Sequence, residues 1–392
     1  MPHAERQAIF IVTDYFPSTG GPSSSSRAIA QELILRGWTI RVGTRRLSRK
    51  WLRDELIDGV HVHRSGRPGY GKLSKLCDLV GTWWWLFRIG RNATVLQVFM
   101  DPDYALAGAA AGLGRRTVMK WATLGDPERY LGPQPVRYLK VRALRRSLNI
   151  SLTQSMAQEL KECGIKSDAI IPVSFDTLRF APASVSERSE ARTRLGITAD
   201  VTIVFTGHLE PRKGIDLLLQ AFGAIVAEGA SAHLLVVGGN HGHAPDLGPA
   251  LKSYVRSHGL DERVTFAGVV DDVVPYLRAS DIFCLPSTRE GMSNSMVEAM
   301  ACGLACIAPA SAGGDDLLSD GAGLIPASNS PAELARALTQ LLGDSELRSR
   351  LGTRAAARVE AHRLPSVVDA FERMYATLPT RCGQRGVRRR TP

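Results

Sequence analysis

The sequence predicts an α/β protein of two consecutive Rossmann-like domains facing each other across a cleft. Three observations carry this. Short apolar runs of strand length alternate with helix-period segments, a Gly/Ser-rich loop follows the first run, and the alternation breaks near residue 170 and restarts at 200. At 392 residues the chain is long for one compact domain and suits two.

The elements follow in order. AIFIVTDYF (8–16) reads as a buried parallel strand, and PSTGGPSSSSR as a loop. RAIAQELILRG (27–37) carries Ile29, Ala30, Leu33 and Ile34 at helical spacing and stops at Gly37. WTIRVGT returns as a strand, completing a βαβ unit. Further strands are expected at 59–64, 94–99, 117–123 and 149–154, with helices between them. IIPVSFDTLRFAP, with two prolines around a turn, reads as the linker. DVTIVFTGHLE (200–210) restarts the pattern, and strands are expected at 233–239, 263–270, 281–287 and 305–309. The expected domains are 1–172 and 173–365, followed by a helix over 366–380 and a basic tail over 381–392. Ligands of open parallel sheets bind at the carboxyl ends of strands. No repeat of solenoid period is present.

Composition is that of a soluble globular protein, with 44% hydrophobic and 22% charged residues. No segment reaches the ~18 apolar residues that span a bilayer. The N-terminus goes quickly into a strand, without a charged leader, long apolar core and cleavage site. The cysteines (77, 163, 284, 302, 306 and 382) form no CxxC pair, which predicts free thiols in a reducing cytosol. The net charge of +11 is uneven. Residues 1–175 hold 26 Lys and Arg against 14 Asp and Glu, whereas the remainder is close to neutral. A basic first half suits an anionic membrane or an acidic acceptor, and no nucleic-acid reading motif accompanies it.

Residues 286–303, PSTREGMSNSMVEAMACG, hold the densest functional signal. Glu290 and Glu298 are separated by seven residues, Gly291 and small polar residues follow the first, and the second sits in helix-forming MVEAMA. The layout predicts a loop feeding a helix N-terminus, whose N–H groups and partial positive charge suit a phosphate. Ionised carboxylates only accept hydrogen bonds and suit sugar hydroxyls. One segment then holds both halves of a nucleotide sugar.

This Glu-x7-Glu pattern, followed by EAMACG, resembles the donor-binding motif of the family 4 (group 1) glycosyltransferases, which have the GT-B fold. The resemblance covers nearly the whole chain and is strongest from 200 to 325. It implies retaining transfer from a UDP- or GDP-linked nucleotide-diphosphate sugar, with no metal or other cofactor. It also implies a last helix that crosses back to the first domain. In TGHLEPRKGID (206–216), Lys213 matches the family's diphosphate-binding lysine. Gly207-His208 stands where the family usually has Gly-Arg, so either Arg212 or protonated His208 supplies that charge. By the same resemblance Glu290 contacts the donor sugar, near the amides of Gly291, Met292 and Ser293. Asn294, Ser295 and Met296 offer N–H groups to the distal phosphate, and Glu298 takes the ribose hydroxyls. Val269 and Val270 stand at the base-contacting segment, with strand packing as the alternative. Pro17 to Gly21 matches the N-terminal glycine loop, which places Gly20 and Gly21 against a phosphate or acceptor.

The sequence departs from the family at residues 122–125, Ala-Thr-Leu-Gly, where many members carry His-Gly. Lys120, Thr123 and Asp126 are the polar residues there. The front-face mechanism that the family implies lets the donor's own phosphate oxygen take the acceptor proton. Asp101-Pro102-Asp103, His61 with His63, and His241 with His243 read as structural rather than metal-binding. Trp83-Trp84-Trp85 lies on an expected helix and reads as core, with membrane contact as the alternative given Lys72, Lys75, Arg88 and Arg91 nearby. VRYLKVRALRRSL (136–148) reads as a basic, solvated helix. The expected function is retaining sugar transfer to a saccharide or lipid-linked acceptor in cell-envelope or extracellular polysaccharide assembly. The protein is expected to be cytoplasmic, peripheral on the inner face of the membrane. The alternatives are a nucleotide-sugar-binding module with little turnover and a sugar-nucleotide epimerase.

Overall fold

The computed structural model describes residues 6–17, 21–69, 71–122, 125–239 and 247–379. In chain order the first elements are β1 (Gln7–Ile11), α1 (Gly21–Leu35), β2 (Thr39–Arg45), β3 (Asp54–Ile57), β4 (Val60–Ser65), α2 (Lys72–Ile89), β5 (Val95–Phe99), α3 (Pro102–Ala110), β6 (Thr117–Lys120), α4 (Asp126–Leu131), α5 (Val136–Leu144), β7 (Leu148–Ser151), α6 (Gln154–Glu162) and β8 (Ala169–Ile170). They are followed by α7 (Val185–Leu195), β9 (Val201–Thr206), α8 (Ile215–Ala227), β10 (Ala232–Val237), α9 (Gly248–Ser257), β11 (Val264–Gly268), α10 (Val274–Arg278), β12 (Ile282–Cys284), α11 (Asn294–Ala301), β13 (Ala305–Ile307), α12 (Gly314–Leu317), β14 (Gly323–Leu324), α13 (Pro331–Gly343), α14 (Ser345–Arg358) and α15 (Leu364–Ala376). The chain divides into two compact units, Met1–Pro172 with Leu364–Pro392, and Val173–Arg363.

The first unit is built on an eight-stranded sheet of order β3-β4-β2-β1-β5-β6-β7-β8, parallel except where β3 pairs antiparallel with β4. β1 is buried along its whole length, and apolar after Gln7, because it lies between β2 and β5. α15 packs on α1 and belongs to this unit's core through Val367, Val368 and Phe371. Polar contacts fix its register. Glu372 accepts from Trp38 Nε1 at 2.8 Å and Arg36 at 2.9 Å, and Tyr375 Oη donates to Gln97 at 3.1 Å.

The second unit carries a six-stranded sheet of order β11-β10-β9-β12-β13-β14, parallel throughout. β9 pairs with β10 on one side and β12 on the other. The strand order reverses there, and ligands of open α/β sheets bind at the carboxyl ends flanking such a reversal.

Several expected boundaries move. α1 starts at Gly21 rather than near residue 27, so the expected loop is largely helix. A proline in the first turn loses no helical hydrogen bond, and Ser23 and Ser26 are buried, which lets GPSSSSR begin the helix. Gly21 is therefore a helix residue, while Gly20 lies outside the described residues. The strand expected at 149–154 ends at Ser151, because Thr153 turns to cap α6 and accepts from Met156 N. β3, β8 and β14 were not expected, being two to four residues long.

Candidate functional site

The loops that leave β9 and β12 meet. Arg212 O accepts from Thr288 N at 2.9 Å and from Ser287 Oγ at 3.0 Å. Gly214, at φ +64°, ends the turn that carries Lys213, and a Cβ there would lie 2.1 Å from Pro286 O. Only glycine allows this approach of the two loops.

Glu290 is the centre of the cluster. It is 8% exposed, and its Oε1 accepts from Lys213 Nζ at 2.6 Å, Arg212 Nη1 at 2.7 Å and Ser287 Oγ at 3.0 Å. Its backbone N–H donates to Ser311 O at 2.9 Å. Arg212 is held from behind by Glu210 at 2.7 Å and from the side by Arg289 O at 2.8 Å. Burial pushes the Glu290 carboxyl up, but the Lys213 and Arg212 charges outweigh it and hold the group below the usual carboxylate range. The site is thus a fixed carboxylate with two cations at the edge of the β9/β12 reversal.

α11 starts directly after this carboxylate. Its N-cap residue, Ser293, makes no side-chain cap hydrogen bond, and the first turn carries no acid. Ser293 Oγ instead meets Ser295 Oγ at 2.9 Å. An N-terminus without an acidic or capping side chain keeps its positive character for an anion. Gly291 and Met296 lie close to Gly313 of the following loop, and Met292 is half-buried just before the helix. Glu298, one turn into α11, is pushed up to about 7 by burial, with Arg179 pulling the other way.

The structure therefore brings Lys213, Arg212 and Glu290 into direct contact. It puts Gly291 to Met296 and Glu298 on the same loop and helix. Of the two cations left open for the charge beside Lys213, Arg212 is bonded to Glu290. His208 is half-buried between β9 and the turn carrying Lys213. Val269 and Val270 follow β11, outside the strand expected to hold them, and Val269 is exposed. Thr123, His241 and His243 lie outside the described residues. Lys120 is buried at the end of β6, over the Phe371 ring at 5.4 Å, and burial pushes it down to about 8.

The other motifs have structural partners. Asp101 caps α3 by accepting from Asp103 N, and Lys75 reaches both acids, at 3.1 and 2.6 Å. Lys140 takes Asp103 at 2.6 Å. His63 stacks on Trp85 with ring centroids 5.0 Å apart and meets Asp54 at 2.7 Å. Among the described residues, no group of three His, Cys, Asp or Glu is arranged to hold a metal. Sequence reasoning missed Ser287, Glu210 and Arg179. The first two lie three and two residues before groups already singled out, but Arg179 has no local signal.

Residues 200–344 match the family model described as glycosyl transferases group 1. The match lies wholly within the second unit. The chain is 32% identical over 203 residues to a GDP-mannose-dependent monoacylated alpha-(1-6)-phosphatidylinositol monomannoside mannosyltransferase of Corynebacterium glutamicum, covering 49% of this chain and 51% of that protein. It is 30% identical over 234 residues to a D-inositol 3-phosphate glycosyltransferase of Kineococcus radiotolerans, covering 55% and 53%. The matched segment spans about half the length of these curated relatives. Sucrose-phosphate synthase from Thermosynechococcus elongatus superposes with a TM-score of 0.80 at 20% identity, over 95% of this chain and 99% of that one. Anabaena HepE, solved in complex with UDP and glucose, superposes with a TM-score of 0.76 at 21% identity, over the same shares. These likenesses show the fold, which is that of the GT-B glycosyltransferases. The Lys213–Arg212–Glu290 cluster and the start of α11 both lie inside the segment that the group 1 family model matches.

Proposed function

We propose that the protein is a retaining glycosyltransferase that moves a sugar from a nucleotide-diphosphate sugar to a saccharide or lipid-linked acceptor. The observation that carries this reading is the triple contact of Lys213, Arg212 and Ser287 on Glu290, at the strand-order reversal and directly before α11. Lys213 and Arg212 offer fixed positive charge to a leaving diphosphate, where charge builds up in the transition state. Glu290, kept ionised by those cations, accepts from sugar hydroxyls. The N–H groups opening α11 take the distal phosphate, and Glu298 takes the ribose diol. No residue of the second unit needs to act as a base if the donor's phosphate oxygen receives the acceptor proton, which gives retention. The mannosyl donor named for the corynebacterial relative and the UDP bound to HepE make GDP- and UDP-linked sugars the first to test. The basic first half and the phosphatidylinositol acceptor named for that relative support a lipid-linked acceptor, and with it a place in envelope or polysaccharide assembly on the inner face of the membrane.

The test is donor consumption and product formation, followed by mass spectrometry, across GDP- and UDP-sugars with saccharide and lipid-linked acceptors. Lys213→Ala lowers turnover by about 10²–10³, the usual cost of one transition-state charge donor, while the fold is retained. Nucleotide binding with no transfer or hydrolysis across the panel would sink the proposal in favour of a binding module. Donor conversion without any acceptor would favour an epimerase.

A further inference from the structure

We propose that the outer face of α2, α3 and α5 in the first unit docks on an anionic lipid surface. The inference deepens the lipid-linked reading above and rests on it. α2 is amphipathic with its faces exchanged. The stripe that points into the protein is largely polar, with Ser74, Asp78 and Thr82 buried beside Leu86. The opposite stripe is apolar and open to solvent: Leu73 is 61% exposed, Leu76 58%, Val80 56%, Trp84 52% and Phe87 45%. Trp83, Trp84 and Phe87 form a surface cluster with centroids 6.0–6.1 Å apart. α3 packs against both α2 and α5, and an apolar groove of about 330 Å³ runs between α2 and α3. α5 adds exposed Val136, Tyr138 and Leu139. The exposed large apolar groups of the second unit (Leu178, Val185, Val269 and Ile325) are scattered along its sequence. A contiguous exposed patch of this kind marks an interaction surface.

Charge selects the occupant. Lys72 and Arg88 on α2, Arg91 in the turn after it, and Arg142 on α5 are exposed on the elements that carry the patch, as are Arg145 and Arg146 just after α5. α2 and α5 carry no carboxylate except Asp78, which is 1% exposed. Asp103, which lines the groove, is paired with Lys75 and Lys140. Exposed apolar side chains and cations on the same elements, with every acid of α2, α3 and α5 buried or paired, fit an interface of acyl chains under anionic headgroups. No helix among the described residues is long and apolar enough to cross a membrane, so the contact is peripheral.

The test is co-sedimentation of the full chain with vesicles of phosphatidylcholine mixed with phosphatidylglycerol, and with phosphatidylcholine alone. The mixed vesicles pellet the protein, and the zwitterionic ones leave most of it in solution. Arg88→Gln/Arg91→Gln lowers the partition coefficient about thirtyfold, from the loss of two cations near the surface. Leu76→Glu/Trp84→Glu lowers it at least about tenfold. These positions are exposed, and each variant keeps the wild-type melting temperature and its shift with nucleoside diphosphate. The inference is overturned if the mixed vesicles fail to pellet the protein, or if both variants pellet as wild type. It is also overturned if light scattering shows a dimer that Leu76→Glu/Trp84→Glu dissociates, which would make a second copy the occupant. If no nucleoside diphosphate stabilises the wild-type protein, the donor-site reading fails whatever the vesicles show.

Discussion

Glu290→Gln separates the two roles given to this carboxylate, holding the cations and holding the sugar. A phosphate bound by Lys213 and Arg212 at the charge-assisted distance of about 2.8 Å would lie within roughly 5 Å of Glu290 Oε1, since that oxygen is 2.6 and 2.7 Å from the same two cations. Like charges at about 5 Å repel by about 3 kcal/mol at an effective dielectric of 20, and by about 1 kcal/mol in water. Arg212 is 33% exposed, so screening favours the lower end. Glutamine keeps the shape and one acceptor oxygen but removes the charge. Free nucleoside diphosphate therefore binds Glu290→Gln about tenfold more tightly, equivalent to ~1.4 kcal/mol. The nucleotide sugar gains less, because a neutral acceptor bonds hydroxyls about half as strongly as a carboxylate. Stability falls by about 1–3 kcal/mol, because Lys213, only 12% exposed, loses its ionised partner. Titration calorimetry with UDP, GDP and their sugar conjugates measures the affinities, and thermal melts measure the stability. Diphosphate affinity that is unchanged or weaker in a folded Glu290→Gln protein would refute the reasoning, since the carboxylate would then not be competing for the cations.

Two further predictions concern pH. Burial raises Glu298 from 4.5 to about 7; if the ribose diol binds the ionised form, nucleotide-sugar affinity rises about tenfold from pH 6 to pH 8, and Glu298→Gln flattens the profile. A sugar conjugate is the right probe, because its phosphates do not titrate in that range. The same raised value makes Glu298 a stabilising term below 4.5 that is lost as pH climbs to about 7. His362 acts in the opposite sense. Burial lowers it from 6.5 to about 4, and its Nδ1 has no hydrogen-bond partner. The unfolded chain therefore binds the extra proton first, and stability falls by about 3 kcal/mol as pH drops through that window. Denaturant titrations of His362→Gln should show a flatter slope there, and an unchanged slope would show that His362 is not the titrating group.

The order of strands and helices was legible because parallel strands buried on both faces are short, largely apolar runs, as in the AIFI of β1 and the IVF of β9. The short strands β3, β8 and β14 were not, since two to four residues carry no period. The start of α1 was misplaced because Gly, Pro and Ser read locally as a loop. The burial of Ser23 and Ser26, which makes them helical, is a property of the packed unit. At the site, residue types and spacing pointed to Lys213, Arg212 and Glu290. The sequence could not show that one oxygen of Glu290 serves both cations. That follows from the pairing of β9 with β12, which brings residues 77 and 78 positions apart into hydrogen-bond range. Ser287 and Glu210 were hidden because neither is unusual in a loop until the group it supports has been found.

α2 exposes a different limit. Residues 73, 76, 80, 84 and 87 and residues 74, 78, 82 and 86 form two clean helical stripes, so the period was fully readable. The usual inference turns the apolar stripe inward and places the tryptophan run in the core. Trp83 and Trp85 are only half-buried, the latter stacked on His63, whereas Trp84 faces outward. The polar stripe can be buried because it has partners: Ser74 Oγ donates to Arg67 O at 2.6 Å and Gly69 O at 2.8 Å, and Asp78 accepts from Tyr104. Periodicity thus fixes which residues share a face, but the partners available on each side decide which face turns inward. On the inner side the partners are in the fold. On the outer side five large apolar groups stay 45–61% exposed within this chain, which is the physical reason to seek their partner outside it.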